Sequence, residues 1–103
     1  MIAHVFSYEV RDRAAFEEAY GANGEWAQFF AGAPGYIGTE LLLDMEIPGR
    51  YLVIDRWESV EAYNLFASEH REEYMRRVDD TRLYYDQELR FGTFANVWQR
   101  DPG

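Results

Sequence analysis

His4 is the side chain of this sequence whose type is best suited to move a proton near neutral pH. It lies on a predicted strand and shares one face with Ile2, Phe6 and Tyr8, since alternate residues of a strand point the same way. A histidine on an apolar face is commonly a core residue whose ring nitrogens are hydrogen-bonded. The other interpretation is a general base, so His4 is a candidate for proton transfer.

Metal and cofactor motifs are sparse. His70 and Glu73 lie one helical turn apart, which is half of a metal site, but the chain has only two histidines and no cysteine to complete the set. The sequence contains no cysteine nucleophile, no pattern that supports a serine triad, no glycine-rich phosphate loop and no dinucleotide fingerprint. We therefore predict no metal and no bound cofactor.

Three donor side chains are further candidates. Trp57 ends a predicted strand, and it is either a packing residue or a contact for a ligand. Tyr63 lies on the inward face of the next predicted helix, where its hydroxyl group needs a partner. Arg77 either pairs with Glu73 on the helix surface or faces a pocket.

Composition narrows the class of partner. The formal net charge is −9, so a nucleic acid is not expected, because phosphate contacts need a basic face. The eight Tyr, seven Phe and three Trp fill a core and also suit a pocket for a small hydrophobic or aromatic ligand. No segment approaches the roughly 20 apolar residues of a membrane span. The amino-terminal residues alternate like a strand rather than a signal peptide, so we predict a cytoplasmic protein with no membrane partner.

The elements that position these residues follow the order β-α-β-β-α-β. The strands are predicted over residues 2–10, 36–44, 50–57 and 90–99. The first helix begins after an N-cap at Asp12 and continues to about Ala31, with interruptions at Gly21 and Gly24. The second helical region begins after an N-cap at Ser59 and continues, with a possible new start at Ser68, to residue 88.

This order predicts an α+β, ferredoxin-like fold, in which an antiparallel four-stranded sheet carries two helical regions on one face. Residues 41–43 and 52–54 are apolar on both faces of their strands, so the helix-free face of the sheet is also apolar. Monomers rarely expose such a patch. We therefore predict a homodimer through the helix-free face. The predicted domain spans residues 1–100, with a frayed tail at 101–103.

The sequence resembles the antibiotic biosynthesis monooxygenase family of the dimeric α+β barrel superfamily. The resemblance covers nearly the whole chain and implies the dimeric barrel. Its motifs lie at the start of the second strand, at the start of the third, at the junction of that strand with the next helix, and before the last strand: residues 34–38 (PGYIG), 51–52 (YL), 57–63 (WESVEAY) and 88–94 (ELRFGTF).

The resemblance also implies an activity. Some members are oxygenases without a cofactor that convert anthrone- or hydroquinone-like molecules to quinones, because the deprotonated substrate itself passes an electron to oxygen. The tryptophan, tyrosine and arginine of those enzymes correspond here to Trp57, Tyr63 and Arg77. Trp57 and Tyr63 would hold the anion, Arg77 would be an electrostatic helper, and His4 is our candidate proton acceptor. The asparagine that precedes their tryptophan is replaced by Val53.

Two alternative hypotheses remain: a non-catalytic barrel that binds a small hydrophobic ligand, and isomerase or cyclase chemistry on a similar enolate. Haem-degrading relatives use a tryptophan and a histidine where the register places Phe66 and Arg76, so haem degradation is not expected. An enclosed pocket between helices and sheet, with at least two convergent donors, would favour catalysis. An interior filled by packing would favour the non-catalytic reading.

Overall fold

The computed structural model describes residues 1–97 of the chain. Within that range the chain forms four strands, four α-helices and one short 3₁₀ turn, in the order β1 (Ile2–Val10), α1 (Arg13–Tyr20), α2 (Glu25–Phe30), β2 (Tyr36–Leu43), β3 (Arg50–Trp57), α3 (Val60–Glu69), α4 (Arg71–Thr81), the 3₁₀ turn (Arg82–Tyr84) and β4 (Tyr85–Ala95). The predicted tail at 101–103 and the end of the predicted strand 90–99 lie outside the described residues.

The sheet has the strand order β2-β3-β1-β4, and every neighbouring pair is antiparallel. In the central pair, Ile2 lies opposite Trp57 and Tyr8 opposite Tyr51. The core packs on the face of the sheet that the helices cover. There, side chains of β1 and β3 meet aromatic residues of the helices, such as Phe16 and Phe66. The predicted ferredoxin-like α+β fold is therefore confirmed.

Local capping explains where the helices begin. The Asp12 carboxylate accepts a hydrogen bond from the amide of Ala15, and Oγ of Ser59 accepts one from the amide of Ala62. Both side chains satisfy amides that a helix leaves free at its first turn. Gly21 and Gly24 separate α1 from α2, as predicted. A Cβ atom at Gly24 would lie 2.5 Å from the carbonyl oxygen of Glu18, so this close turn requires glycine.

The last strand begins earlier than the sequence indicated. Helical spacing extended the second helical region to residue 88, whereas α4 ends at Thr81 and β4 starts at Tyr85. β4 starts early because it pairs with β1 along the whole of that strand, from Val10 opposite Tyr85 to Ile2 opposite Ala95. For residues 85–88, the backbone hydrogen bonds to β1 therefore decide the structure, although the apolar residues have helical spacing. A register shift near Gly92, which has φ of +144°, marks a bulge in this strand.

The helix-free face of the sheet carries exposed apolar side chains. Leu42 is 45% exposed, and Leu89 and Phe94 are each 53% exposed. On the opposite face, Val53 and Trp57 are fully buried. The described part of the sheet is thus apolar on both sides. No helix formed by residues 1–97 is long and apolar enough to cross a membrane.

Candidate active site

A cavity of about 290 Å³ lies between the helices and the sheet. Its volume is at the small end of the range of ligand pockets, which begins at about 300 Å³. All four strands and all four helices contribute to its wall, and five of the lining residues are tyrosines. The other polar side chains in the wall are the indole of Trp26 and the side chains of Thr39, Asp55, Glu88 and Arg90. The cavity is therefore aromatic with a few polar groups, which suits a small, flat organic molecule.

Tyr63 of α3 and Tyr74 of α4 form a pair in this wall. Their hydroxyl oxygens are 2.6 Å apart, and either hydroxyl can be the donor. One hydrogen makes the mutual bond, so the pair keeps one hydroxyl hydrogen for a third group. Burial raises the pKa of Tyr74, which keeps its phenol protonated at neutral pH. The pair can therefore donate one hydrogen bond to an anionic oxygen in the cavity.

Asp55 is the carboxylate that β3 places in the wall. Oγ1 of Thr39 donates to Oδ1 of Asp55 at 2.7 Å. Since the hydrogen of Thr39 is directed at Asp55, the Tyr36 hydroxyl donates to Oγ1 of Thr39, at 2.6 Å. Burial raises the pKa of Asp55 to about 6, while the bond from Thr39 acts in the opposite direction. Asp55 can therefore exchange a proton near neutral pH.

Asp55 and Thr39 were not among the residues singled out in the sequence. A signal for Asp55 was present, because it alternates with Tyr51, Val53 and Trp57 on one face of the strand. A carboxylate in such a row of large apolar residues must face the core. Thr39 has no comparable signal, since its role depends on the pairing of β2 with β3, where it lies opposite Asp55.

His4 lies behind Tyr63 rather than in the cavity wall. The two rings meet edge to face, with centroids 4.5 Å apart. Nδ1 of His4 is 2.7 Å from Oγ1 of Thr93, and Nε2 is buried without a hydrogen-bond partner among residues 1–97. Burial, followed by the positive charge of Arg90, lowers the pKa of His4. The imidazole is therefore neutral at pH 7.

Trp57 is fully buried and also lies behind Tyr63. Its ring centroid is 5.4 Å from that of Tyr63, and it packs further against Phe30, Tyr36 and Phe66. The indole Nε1 has no hydrogen-bond partner within the described range 1–97. Trp57 therefore supports the wall that Tyr63 completes.

Arg77 lies apart from these three residues. Its guanidinium donates to Glu73 at 3.0 Å and covers the ring of Phe29, 4.7 Å from the centroid. It lines a second, outer groove of about 620 Å³ that also contains Phe66 and His70. The structure thus brings His4, Trp57 and Tyr63 together and places Arg77 in a different groove.

A metal centre is not evident in the described part of the chain. Residues 1–97 contain no group of three or more histidine, aspartate or glutamate side chains placed to hold a metal ion. His70 is occupied by local contacts, because its Nδ1 is 3.1 Å from the carbonyl oxygen of Phe66 and its ring stacks on that residue.

Comparisons with known proteins agree with the fold. Residues 1–77 match the family model described as antibiotic biosynthesis monooxygenase. No curated protein matches the sequence significantly. The structure of SnoaB, a cofactor-independent oxygenase from Streptomyces nogalater, is similar with a TM-score of 0.75 and 21% identity over 99% of this chain and 97% of that chain.

A second solved structure shares the fold and has a different chemistry. It is the haem degrader MhuD from Mycobacterium tuberculosis, with two haems bound in its active site. The TM-score is 0.61, with 19% identity over 98% of this chain and 100% of that chain. At such identities the likeness shows a common fold, and the reaction has to be argued from the side chains of the cavity.

Proposed function

Because the chain belongs to the antibiotic biosynthesis monooxygenase family, we propose that it oxidises a small, electron-rich aromatic molecule, anthrone- or hydroquinone-like, with O₂. The observation that carries the proposal is the aromatic cavity in which the Tyr63–Tyr74 pair keeps one free hydroxyl hydrogen. A flat substrate fits between aromatic walls, and its anionic oxygen accepts that hydrogen bond. A donor held in place before the charge develops stabilises the anion without rearrangement.

The reaction balances without a further reductant for an anthrone-like substrate. The ring methylene group loses a proton, and the resulting carbanion passes one electron to O₂. Recombination of the two radicals forms a carbon–oxygen bond, and protonation gives a hydroperoxide. Loss of water then leaves a carbonyl group. One oxygen atom of O₂ ends in the quinone and the other in water, and the substrate supplies all four electrons.

The four residues indicated by the sequence take different parts in this proposal. Tyr63 contacts the substrate anion. Trp57 and His4 hold the ring of Tyr63 from behind, at 5.4 and 4.5 Å between centroids. His4, the proton acceptor indicated by the sequence, lies behind Tyr63, whereas the carboxylates of Asp55 and Glu88 line the cavity. Arg77 acts only as a distant electrostatic helper, since Glu73 already pairs with it.

We further propose that two copies pair through the helix-free face of the sheet, with the proposed active site between the helices and the sheet of each subunit. The support is the exposure of Leu42, Leu89 and Phe94 on this face. Exposed apolar side chains on one face of a sheet are covered most simply by the same surface of a second copy. Haem is not part of the proposal, because no histidine lines the described cavity.

Oxygen uptake with anthrones and hydroquinones tests the proposal. We expect uptake above the buffer rate, one O₂ consumed per anthrone, and one ¹⁸O atom from ¹⁸O₂ in the new carbonyl. The double variant Tyr63→Phe, Tyr74→Phe is the control, because it keeps the rings and removes both donors. Ligand binding without uptake would favour the non-catalytic barrel. A rearranged product without uptake would favour isomerase or cyclase chemistry.

A further inference from the structure

We propose that Asp55 is the group that takes the proton from the substrate, with Thr39 and Tyr36 as the residues that position its carboxylate. The inference rests on the proposed function and names a base for it. It differs from the expectation based on the sequence, which gave this role to His4.

One oxygen of the Asp55 carboxylate accepts a hydrogen bond, and the other is available to a ligand. Oδ1 accepts from Thr39, and Thr39 in turn accepts from Tyr36. Within residues 1–97, Oδ2 has no hydrogen-bond partner, although Asp55 lines the cavity. Two hydroxyl groups in series therefore fix one side of the carboxylate and leave the other side for a ligand. A base must be held in this way if its free oxygen is to meet a C–H bond at a defined distance.

The proposed acceptor and the proposed anion donor face the same space. Asp55, Tyr63 and Tyr74 all line the cavity. The charge of Asp55 also contributes to the raised pKa of Tyr74, so the two groups are within electrostatic reach of each other. A substrate between them places its acidic C–H group toward Asp55 and the oxygen that receives the charge toward the tyrosine pair.

His4 is less well placed for this step. Its Nδ1 is occupied by Thr93, and its Nε2 is buried behind the ring of Tyr63, outside the cavity wall. A proton on His4 would also lie near the positive charge of Arg90. The imidazole therefore has neither access to the substrate nor a partner that would stabilise its charged form.

The charged and titratable groups around Asp55 bear on its pKa, and they come from several elements. β4 contributes Glu88 and Arg90 to the cavity, and Oε2 of Glu88 already accepts from Tyr8 at 2.6 Å. On β1, the neutral His4 lies opposite Asp55 in the sheet, outside the cavity wall. α3 and α4 contribute the phenols of Tyr63 and Tyr74. Since no cation bonds to Asp55 among the described residues, burial controls its proton affinity, and its pKa of about 6 matches the need for a base near neutral pH.

Hydrogen–deuterium exchange at the methylene group of anthrone, without oxygen, isolates the proton step. The enzyme and anthrone are mixed in D₂O under argon, and incorporation of deuterium is followed by NMR. We expect catalysed exchange with the wild type. We expect Asp55→Asn to lower this rate by about 100-fold or more, as loss of a general base does. His4→Asn removes an imidazole that packs against Tyr63, and we expect its rate to keep the pH midpoint of the wild type.

The pH profile separates a base from a structural residue. For the wild type, the rate of exchange should rise with pH through about 6 and then level off, because the ionised carboxylate is the active form. Thr39→Val removes a bond that favours the ionised form, so the midpoint should move to higher pH. Tyr36→Phe should move it in the same direction by less. A residue that only maintains the fold would lower the rate without moving the midpoint.

The outcomes distinguish this inference from the proposed function. Exchange that depends on Asp55, with no oxygen uptake in air, would support the base and overturn the oxygenase. Oxygen uptake by Asp55→Asn at the wild-type rate, or loss of the pH dependence in His4→Asn alone, would overturn the base and keep the oxygenase. Neither exchange nor uptake by the folded wild type, with folding verified by circular dichroism, would overturn both.

Discussion

The hydroxyl groups of Tyr63 and Tyr74 lie 2.6 Å apart and join α3 to α4 over the interior cavity. The two phenols share one hydrogen bond and keep one hydrogen, so they act as a single donor whose oxygen atoms are held by two different helices. The remaining hydrogen makes a stronger hydrogen bond than that of an isolated phenol, because each hydrogen bond in a chain polarises the next.

Replacing the two tyrosines one at a time and together tests the shared donor. Either Phe variant leaves one phenol that can still donate to the substrate, so we expect kcat/KM to fall by about tenfold. The double variant has no donor, and the loss of a hydrogen bond to an anion, about 1.5–3 kcal/mol, corresponds to about 10- to 100-fold beyond either single variant. Steady-state oxygen uptake measures all three.

Tyr20→Phe is the matched control for this series. Tyr20 lines the same cavity, but its hydrogen is donated to Oγ1 of Thr81 at 3.1 Å. We expect kcat/KM to be unchanged within about twofold and the free energy of unfolding to fall by about 1 kcal/mol. A double variant no slower than Tyr63→Phe would contradict a shared donor.

Much of the fold was predictable because local signals agree with the tertiary structure. Ser59 caps α3 as expected. The predicted bounds of the first and third strands, residues 2–10 and 50–57, match those of β1 and β3. The start of β4 was not predictable. Tyr85 continues an apolar helical spacing, and only the free edge of β1 determines that this segment is a strand.

The lining of the candidate cavity was predictable only in part. Tyr63 was singled out in the sequence, and it is the one of the four candidates that lines the cavity. Arg77 was assigned by register to the same site, yet it lies in the outer groove with Glu73 and Phe29. An alignment by sequence position alone does not determine which face of α4 carries Arg77. Partners such as Tyr74 or Thr39 come from other elements, which spacing within one segment does not reveal.

Asp55→Asn should stabilise the protein at neutral pH. The folded state raises the pKa of Asp55 from 3.8 to about 6, so it binds a proton more tightly than the unfolded chain. The resulting cost to stability is absent below pH 3.8, grows as the pH rises toward 6, and is complete above it. One pKa unit is about 1.4 kcal/mol, so the gain at pH 7.5 approaches about 3 kcal/mol.

Urea denaturation of wild type and Asp55→Asn between pH 4 and 7.5 measures this gain. The difference between the two proteins should shrink to near zero at pH 4. His4 contributes with the opposite sign, since its lowered pKa costs stability as the pH falls through 6.5, but it is present in both proteins and cancels. If Asp55→Asn were no more stable than the wild type at pH 7.5, the ionised Asp55 would not lower the stability of the folded state.

The proposed dimer is tested by placing a charge on the helix-free face. Leu42→Glu and Phe94→Glu should each yield a monomer at micromolar concentration in analytical ultracentrifugation, where the wild type sediments as a dimer. Leu65→Glu is the matched control, because Leu65 is 58% exposed but lies on α3. Dimers that persist in both sheet variants, or that dissociate in Leu65→Glu, would place the interface elsewhere.

Gly35 controls the position of α3, and with it the position of Tyr63. Its φ is +90°, and a Cβ atom there would lie 2.7 Å from Cβ of Ala62, the residue before Tyr63. Backbone strain and overpacking together should cost Gly35→Ala about 2–4 kcal/mol of unfolding free energy and lower oxygen uptake. Gly32→Ala meets no atom within 4 Å and should stay within about 1 kcal/mol of the wild type. Equal stability of the two variants in thermal denaturation would show that α3 is free to shift.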